Sequence, residues 1–335
     1  MKLTIKDIAR LAGVSTTTVS KIINNKHDSI SKDTTEKVIK IMKDNNYVPS
    51  TIARSLVTKK TKTIGLIIPD IVNPFFPELA RGAEDKANKE GYNLIICNTD
   101  EDIQKEDRYV AMLVEKMVDG IIFTASSQRV DDFKLLKNAN IPIVLVDRDV
   151  KGSHISSKIT VDNFMGAYEG TKHLIEQGYK KIIFITGSLK NKTSLDRLNG
   201  YKKALDEHNI KFSYENVIEG SYKSEWGYNA VNFILKQNKN FDALFCGNDL
   251  IAIGAIKALK ENDIKIPQDV GVLGFDDIYI SRIIDPQLTT IKQPIYEMGY
   301  KSVQTLIDIL EKKSKKVKDI VLVPKLVIRS STVKG

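Results

Sequence analysis

The chain has 335 residues, of which 42% are hydrophobic and 28% charged, and its formal net charge is +9. This length and apolar content are enough for two buried cores besides a small domain, and no apolar run approaches the length of a membrane span. Residues 1–10 (MKLTIKDIAR) lack the apolar stretch of a secretion signal, so we expect a cytoplasmic protein. Cys97 and Cys246 lie in apolar runs typical of strands, which indicates buried thiols and not a disulfide.

The positive charge is concentrated near the N-terminus. Residues 1–60 contain 12 Lys and Arg against 5 Asp and Glu, which is +7 of the chain's +9. A basic segment ahead of a nearly neutral body is typical of proteins that bind nucleic acid, because each neutralised phosphate releases counterions. A solvated basic face is the alternative explanation for such a run. The helices predicted within the segment favour DNA binding.

Two short helices are predicted at the start of the basic segment. Thr4, with Asp7 three residues later, forms the pattern of a capping box, and Gly13 ends the first helix. Ser15 caps a second helix that runs to about Asn24. Two short helices joined by a turn with glycine are typical of a helix-turn-helix, whose second helix enters the major groove. The polar residues on the outer face of that second helix are Thr16, Thr17, Ser20 and Lys21.

A third helix is predicted to start near Asp33, where Glu36 completes another capping box, and to end at Pro49. The next residues, STIARSLVT (50–58), are too few and too weakly apolar to form a stable helix alone. They are either an ordinary linker or a hinge helix that forms on DNA and inserts Leu56 into the minor groove. We therefore expect a DNA-binding domain over residues 1–48 and a hinge over 49–61.

Residues 62–335 are predicted to form an α/β body. The runs TIGLIIPD, YNLIICNT, DGIIFTAS and IPIVLVD alternate with helical stretches, and nearly continuous apolar strands predict parallel sheets buried on both faces. After about Val161 the pattern starts again with KIIFITG, FDALFCG and DVGVLGF. Two successive runs of this kind predict two doubly wound lobes.

Polar and aromatic side chains follow several of these strands. Ligands bind at the carboxyl ends of strands in open α/β sheets, which here predicts a site in a cleft between the lobes. Carboxylates and amides suit sugar hydroxyls, and aromatic faces suit the C–H face of a sugar ring. Alone, Asn248 or Asp276 would be interpreted as a helix cap, and Phe75 and Phe76 as core. The candidate ligand-binding residues are Asn73, Phe75, Phe76, Asp147, Arg148, Arg197, Tyr222 (with Trp226 nearby), Asn248, Asp276 and Gln293.

Several motifs in order resemble the lactose-repressor (LacI/GalR) family of bacterial transcription regulators. They are IKDIARLAGVSTTTVSKIINN, then NNYVPSTIARSLVTKKTKTIGLIIPDIVNPFF, TVDN, NDLIAIGAIKAL, GFDD and LTTIKQP. The resemblance implies a homodimer on a pseudo-palindromic DNA operator, with a periplasmic-binding-protein-like body. It also implies that the chain crosses back between lobes, so that lobe N holds about 62–160 and 292–322, and lobe C about 161–291 and 323–335.

The family pattern also implies roles in DNA binding. Thr16, Thr17 and Lys21 would read bases, while Leu56 would be the wedge, with Ala53 and Arg54 beside it. Many members carry Arg where this chain has Lys21. Because Lys lacks the bidentate fork of Arg, the preferred operator half-site cannot be carried over from relatives.

The cleft residues resemble the ribose-contacting pattern of periplasmic ribose-binding proteins, with NPFF, VDR, ND and GFD in matching order. Tyr222 stands where that pattern has Phe. The resemblance implies a transcriptional repressor most like the ribose operon repressors, whose operator binding is controlled by a small sugar, ribose being the expected one.

Other functions remain open from the sequence. A catabolite-control-type regulator that responds to a protein partner is one, although it would leave the sugar pocket degenerate. A sugar-binding transport protein is another, although it would not need the basic segment. An enzyme is disfavoured because GxGxxG, P-loop, HExxH, GxSxG and CxxC motifs are missing, and the four His residues lack metal spacing. We therefore assign no catalytic residue, metal ligand or cofactor.

Overall fold

The computed structural model describes residues 3–26, 28–48, 60–126, 139–150, 155–312 and 319–334. The chain divides into two compact units, Met1–Thr61 and Lys62–Gly335, called the head and the body below. The predicted hinge residues Ala53, Arg54 and Leu56 lie outside the described residues, as does Pro49.

The head contains the two predicted helices of a helix-turn-helix, α1 (Ile5–Ala12) and α2 (Thr16–Ile23). The capping box is present, because the Thr4 hydroxyl accepts from the Asp7 backbone and the Asp7 carboxylate accepts from the Thr4 backbone. Gly13 ends α1 with φ of 67°, a left-handed conformation that glycine adopts without strain. The Ser15 hydroxyl then caps α2 by accepting from the Thr18 backbone at 3.0 Å.

The third helix, α3 (Lys32–Asp44), begins near Asp33 as predicted, but the predicted end at Pro49 was wrong. The helix ends at Asp44, because the chain leaves the helical conformation at Asn45 and Asn46 has a left-handed φ of 49°. Its cap is Ser31, whose hydroxyl accepts from the Thr34 backbone at 3.3 Å, so the proposed capping box of Asp33 and Glu36 was wrong. Serine caps a helix as well as aspartate does, and Ser31 precedes Asp33 in the chain, so the helix begins after Ser31. The helices enclose a small core that includes Ile8, Val19, Ile22 and Val38, with Ile41, Met42 and Tyr47 packed against it.

The body contains twelve strands among its described residues, arranged in two six-stranded sheets. The first sheet has the order β11-β5-β4-β3-β1-β2 and is parallel, and the second has the order β12-β10-β9-β8-β6-β7 with β12 antiparallel to β10. The strands are β1 (Thr63–Ile68), β2 (Asn93–Asn98), β3 (Gly120–Phe123), β4 (Ile143–Val146), β5 (Ile155–Val161), β6 (Ile182–Thr186), β7 (Val217–Glu219), β8 (Ala243–Cys246), β9 (Gly271–Asp276), β10 (Thr289–Lys292), β11 (Ile320–Leu322) and β12 (Lys325–Val327).

Helices cover both sheets and complete two doubly wound lobes, as the alternating pattern predicted. Lobe 1 is built on the first sheet and lobe 2 on the second. The helices of the body with described bounds are α4 (Phe75–Lys89), α5 (Ile103–Glu115), α6 (Asn163–Glu176), α7 (Lys192–Glu207), α8 (Ser224–Lys236), α9 (Asp249–Glu261) and α10 (Ile295–Leu310). Each lobe has an apolar cluster on either side of its sheet.

Not every strand matches the expectation of burial on both faces. Strand β2 lies at the edge of its sheet with β1 as its single neighbour, and Ile96 is 48% exposed. Strands β5, β7 and β10 were not predicted, because their sequences ISSKITV, VIE and TTIK are short or carry polar residues. The pairing with neighbouring strands stabilises them as strands despite this weak local pattern.

The chain crosses between the lobes three times. Strand β5 of lobe 1 leads into α6, which packs in lobe 2, and β10 of lobe 2 leads into α10, which packs in lobe 1. The third crossing connects β11 with β12. Two crossings are joined directly, because the Asp162 backbone donates to the Leu322 carbonyl at 2.9 Å. Relative movement of the lobes must therefore bend these three short segments together.

Both cysteines are buried free thiols, as predicted, and burial raises the pKa of the Cys97 thiol to about 11. Among the helices that the structure describes, none is long and apolar enough to cross a membrane.

The contact between α4 and α10 depends on the absence of a side chain at Gly82. A Cβ atom at this position would lie 2.0 Å from the Tyr296 carbonyl oxygen. We expect Gly82→Ala to lower the free energy of unfolding by about 1–3 kcal/mol, because the helices must separate to admit the methyl group. Urea unfolding followed by circular dichroism measures the change. Glu84→Ala, at an exposed position of the same helix, is the control and is expected to change stability by less than about 0.5 kcal/mol. Equal midpoints for both variants would contradict this packing.

Candidate functional site

The outer face of α2 forms a polar surface of the head. The four residues predicted there line one shallow concavity, which is completed by Ile5, Asn24 and Lys26; they are Thr16, Thr17, Ser20 and Lys21. Val19 and Ile22 occupy the opposite face and are buried in the head core. The helix therefore presents short hydroxyl side chains and one long cation outward, a combination that can hydrogen-bond base edges and phosphates.

In the body, all ten predicted ligand-binding residues line one inner cavity. These are Asn73, Phe75, Phe76, Asp147, Arg148, Arg197, Tyr222, Asn248, Asp276 and Gln293, and Thr193 is the further residue that lines it. Seven of them directly follow or end a strand or lie in the loop after it, which brings them to the same edge of each sheet. Trp226 does not line the cavity and packs against an apolar cluster of lobe 2.

Arg197 on α7 is the central cation of the cavity and is only 3% exposed. Its Nε donates to the Asn163 side-chain oxygen at 2.8 Å, and its Nη1 donates to the Gly247 carbonyl. The guanidinium lies over the Phe275 ring, 3.7 Å from the ring centroid. Within the described residues its Nη2 has no hydrogen-bond partner, so this nitrogen is available to a ligand in the cavity.

Asp276 and Gln293 form the acceptor side of the cavity. The Gln293 amide nitrogen donates to the Asp276 carboxylate at 2.7 Å, and the Gln293 Oε1 is buried without a partner among the described residues. Burial raises the pKa of the Asp276 carboxyl well above its usual range; nearby Asp249 and Asp147 add to the rise, and Arg197 opposes it. Asp276 also has φ of 126°, which is unusual for a residue with a side chain.

Asp147 and Arg148 contribute a charged pair from lobe 1. Arg148 is held by Glu101 at 2.7 Å and by the Ala125 carbonyl at 3.0 Å, so its position is fixed by lobe 1 alone. Burial raises the pKa of the Asp147 carboxyl, although Arg148 and Arg197 oppose that rise. Ligand hydroxyls that donate to Asp147 would favour its ionised form.

Asn248, Phe75 and Phe76 each combine a structural role, as a helix cap or core residue, with a position in the lining of the cavity. The Asn248 side-chain oxygen caps α9 by accepting from the Ile251 backbone at 2.9 Å, and its nitrogen donates to the Tyr222 carbonyl at 3.2 Å. Phe75 and Phe76 belong to the lobe 1 core and also line the cavity. Their rings meet edge to face, with centroids 5.0 Å apart. Structural and site roles are thus combined in single residues.

Three residues of this region were not predicted from the sequence. Asn163 holds Arg197, Thr193 lines the cavity, and Asp249 lies behind Asp276. The Asp249 carboxylate accepts from the Ser281 hydroxyl at 2.6 Å and is buried. Asn163 belongs to TVDN and Asp249 to NDLIAIGAIKAL, so both stood in noted motifs without an assigned role. Nothing in the local pattern around Thr193 distinguishes it from an ordinary residue of a first helical turn.

The inner cavity is about 30 Å³, which is room for one or two waters but not for a sugar ring. It shares Asn73, Phe76, Arg148 and Tyr222 with an outer cleft of about 830 Å³. A larger ligand can therefore reach the inner residues only if the lobes separate or the lining side chains withdraw. Among the described residues, no group of three or more His, Cys, Asp or Glu could hold a metal ion.

A helix-turn-helix head and a two-lobed body with a buried polar cavity define a DNA-binding regulator with an effector domain. Sequence models of known families match both parts. Residues 4–50 match bacterial regulatory proteins of the lacI family, and residues 61–330 match the periplasmic binding proteins and sugar binding domain of the LacI family. The chain belongs to the LacI family of bacterial transcription regulators, and it is not an enzyme.

Similar proteins extend over nearly the whole chain. The HTH-type transcriptional regulator RegA of Clostridium saccharobutylicum is 43% identical over 99% of this chain and 100% of its own length. The HTH-type transcriptional repressor PurR of Haemophilus influenzae is 40% identical over 98% of both chains. The crystal structure of the lac repressor dimer bound to operator and the anti-inducer ONPF covers 100% of both chains, with a TM-score of 0.87 and 26% identity. The predicted family is confirmed, while the response to ribose stays a prediction.

The raised pKa of Asp276 implies that the stability of the folded protein depends on pH. Between the usual aspartate pKa of 3.8 and the raised folded value, the native protein holds a proton that the unfolded chain has lost. The free energy of unfolding therefore falls as pH rises through this window, because only the unfolded chain gains the favourable ionised form. We expect Asp276→Asn without ligand to raise the melting temperature relative to the unsubstituted protein, by an amount that grows from pH 4 to pH 7.

Asp206→Asn, at an exposed position on α7, is the matched control for the loss of one carboxyl group. Differential scanning calorimetry across the pH range measures both differences. A difference for Asp276→Asn that grows with pH no more than the difference for Asp206→Asn would contradict the expectation.

Proposed function

We propose that this protein is a homodimeric repressor whose operator binding is weakened when ribose binds between the two lobes of its body. The observation that carries the proposal is that ten side chains, spread from residue 73 to residue 293, line one buried cavity. We propose the bacterial cytoplasm as its location, because a regulator of this kind acts on operator DNA.

The chemistry of the cavity suits a small polyhydroxylated ring. Arg197 has one free donor nitrogen, and Gln293 has a buried acceptor oxygen without a partner among the described residues. Buried polar groups of this kind are costly unless a ligand or water satisfies them. Asp276 and Asp147 can accept hydrogen bonds from hydroxyls, and Phe76 and Tyr222 provide flat apolar faces.

An inner cavity of about 30 Å³ is too small for ribose, and of the two ways to enlarge it we propose that the lobes rearrange when ribose binds. A ligand shifts such an equilibrium only by its differential affinity for the two arrangements. We propose that the arrangement favoured by ribose disturbs the hinge over residues 49–61 and so weakens operator binding. In this proposal Leu56, with Ala53 and Arg54 beside it, is the minor-groove wedge.

The set of residues that line the cavity also bears on two other functions, a regulator controlled by a protein partner and a sugar-binding transport protein. A regulator that responds to a protein partner alone would have no need for ten converging cavity residues, although the cavity does not oppose a second, protein effector. A transport protein would not need the helix-turn-helix head. A small-molecule effector and operator DNA are therefore the two proposed partners of each subunit.

Lys21 tests the assignment of base reading to α2. Each good side-chain contact with a base provides about 1–3 kcal/mol of discrimination, so Lys21→Ala should weaken operator binding about 5- to 150-fold and relax base preference at one position. Lys40→Ala, at an exposed position of α3, removes the same charge and is the control. Fluorescence anisotropy with operator and scrambled duplexes measures both. Equal losses on both duplexes for the two variants would exclude base reading by Lys21.

Arg197 tests the effector site. Arg197→Ala should abolish the release of operator by ribose while leaving ribose-free operator binding within about twofold, because the residue lies in the body interior and not in the head. Arg197→Lys keeps the charge and should retain a weaker response, since it lacks the planar fork. Arg108→Ala, at an exposed position of α5, is the control and should respond normally.

A thermal-shift panel of pentoses, hexoses, their phosphates and nucleobases identifies the effector, with nucleobases included because aromatic side chains also stack on flat bases. A specific ligand at a hundredfold excess over its dissociation constant stabilises by about 2.7 kcal/mol. A normal ribose response by Arg197→Ala, or stabilisation by a different compound and not ribose, would contradict the proposal.

A further inference from the structure

Asn163 occupies an unusual place between the lobes. It is the first residue of α6, directly after the crossing from β5, and it is 5% exposed. Its side-chain nitrogen donates to the carbonyl of Val161, the last residue of β5 in lobe 1, at 3.1 Å. Its side-chain oxygen accepts from Arg197 Nε of lobe 2 at 2.8 Å. One amide group thus connects the end of a lobe 1 strand to the central cation of the cavity.

The side-chain amide of Asn163 suits its two partners in a single orientation, with its oxygen toward Arg197 and its nitrogen toward Val161. Arg197 Nε can only donate a hydrogen bond, and the Val161 carbonyl can only accept one. Asn163 meets both needs, whereas aspartate would meet only the first and alanine neither. The bond to a guanidinium is charge-assisted and therefore stronger than a bond between neutral groups.

The position of this amide connects it with lobe movement. Rotation of one lobe against the other has to change the backbone between Val161 and α6, because that segment is one of the three crossings. The Asp162 backbone, between the two residues, donates to the Leu322 carbonyl of a second crossing at 2.9 Å. A change at the crossings therefore alters the geometry of the amide that holds Arg197.

We propose that Asn163 is a positioning residue that orients Arg197 for the effector and couples this orientation to the movement of the lobes. The inference rests on the proposed function, because Arg197 is taken to bind the effector. Asn163 does not line the cavity and acts through Arg197.

A double-mutant cycle separates positioning from general stabilisation. We expect Asn163→Ala to weaken ribose binding about tenfold or more, measured by isothermal titration calorimetry, because a hydrogen bond to a charged group is lost. In an Arg197→Lys background, where Nε is absent, the same change should weaken binding by less than about twofold. Asn232→Ala is the matched control, because its side-chain nitrogen also donates to a carbonyl at 3.1 Å, that of Tyr228, away from the cavity.

Asn163→Asp tests the coupling and replaces the alanine variant if that one does not fold. It keeps the acceptor for Arg197 and loses the donor to Val161, so ribose affinity should stay within about threefold. The ratio of operator affinities without and with saturating ribose should fall at least about fivefold. Three results would overturn the inference. They are additive losses of ribose affinity in the cycle, an unchanged ribose affinity of Asn163→Ala, and an unchanged ratio of operator affinities for Asn163→Asp.

The result for the unsubstituted protein separates this inference from the proposed function. If that protein binds no sugar, the proposed function fails and the inference fails with it. If it binds ribose and Arg197→Ala does not, the proposed function stands, and the Asn163 variants alone decide the inference.

Discussion

The buried guanidinium of Arg197 is the interaction on which the interior of the body depends. A charge removed from water is costly unless hydrogen bonds and opposite charges compensate for it. Here Asn163 and the Gly247 carbonyl bind two of its nitrogens, the Phe275 ring covers its face, and Asp276 lies near enough to interact with its charge. These partners come from a lobe crossing and from the ends of β8 and β9, so one cation organises the strand ends of lobe 2.

The same arrangement leaves the cavity incompletely satisfied. Burial raises the pKa values of Asp276 and Asp147, and Gln293 has an acceptor without a partner among the described residues. These polar atoms lower the stability of the ligand-free body because they are buried without full hydrogen bonding. The same atoms can form hydrogen bonds with a polyhydroxylated ligand. A site built in this way gains much of its affinity by relieving an existing cost.

The predictability of the site differed from residue to residue. Asn248 could be singled out because an amide directly after an apolar strand is either a cap or a ligand residue, and the structure shows that it caps α9 and lines the cavity. Thr193 gave no comparable signal, since it sits in an ordinary first helical turn. Asp249 stood in a noted motif, but nothing in the local pattern assigned it a role beside Asn248. Strand β10, with the sequence TTIK, was missed for a similar reason: its strand conformation depends on pairing with β9 and β12.

The sequence by itself determined the class of the protein and the chemistry it carries. Helix caps, a basic N-terminal segment and apolar strand runs are local features, so they could be interpreted without knowing the fold, and they gave the helix-turn-helix head and the α/β body. Only the tertiary structure decided which side chains meet. The contact of Asn163 with Arg197 depends on the order of the strands and on the three crossings between lobes, and such contacts between distant residues leave no periodic pattern in the chain.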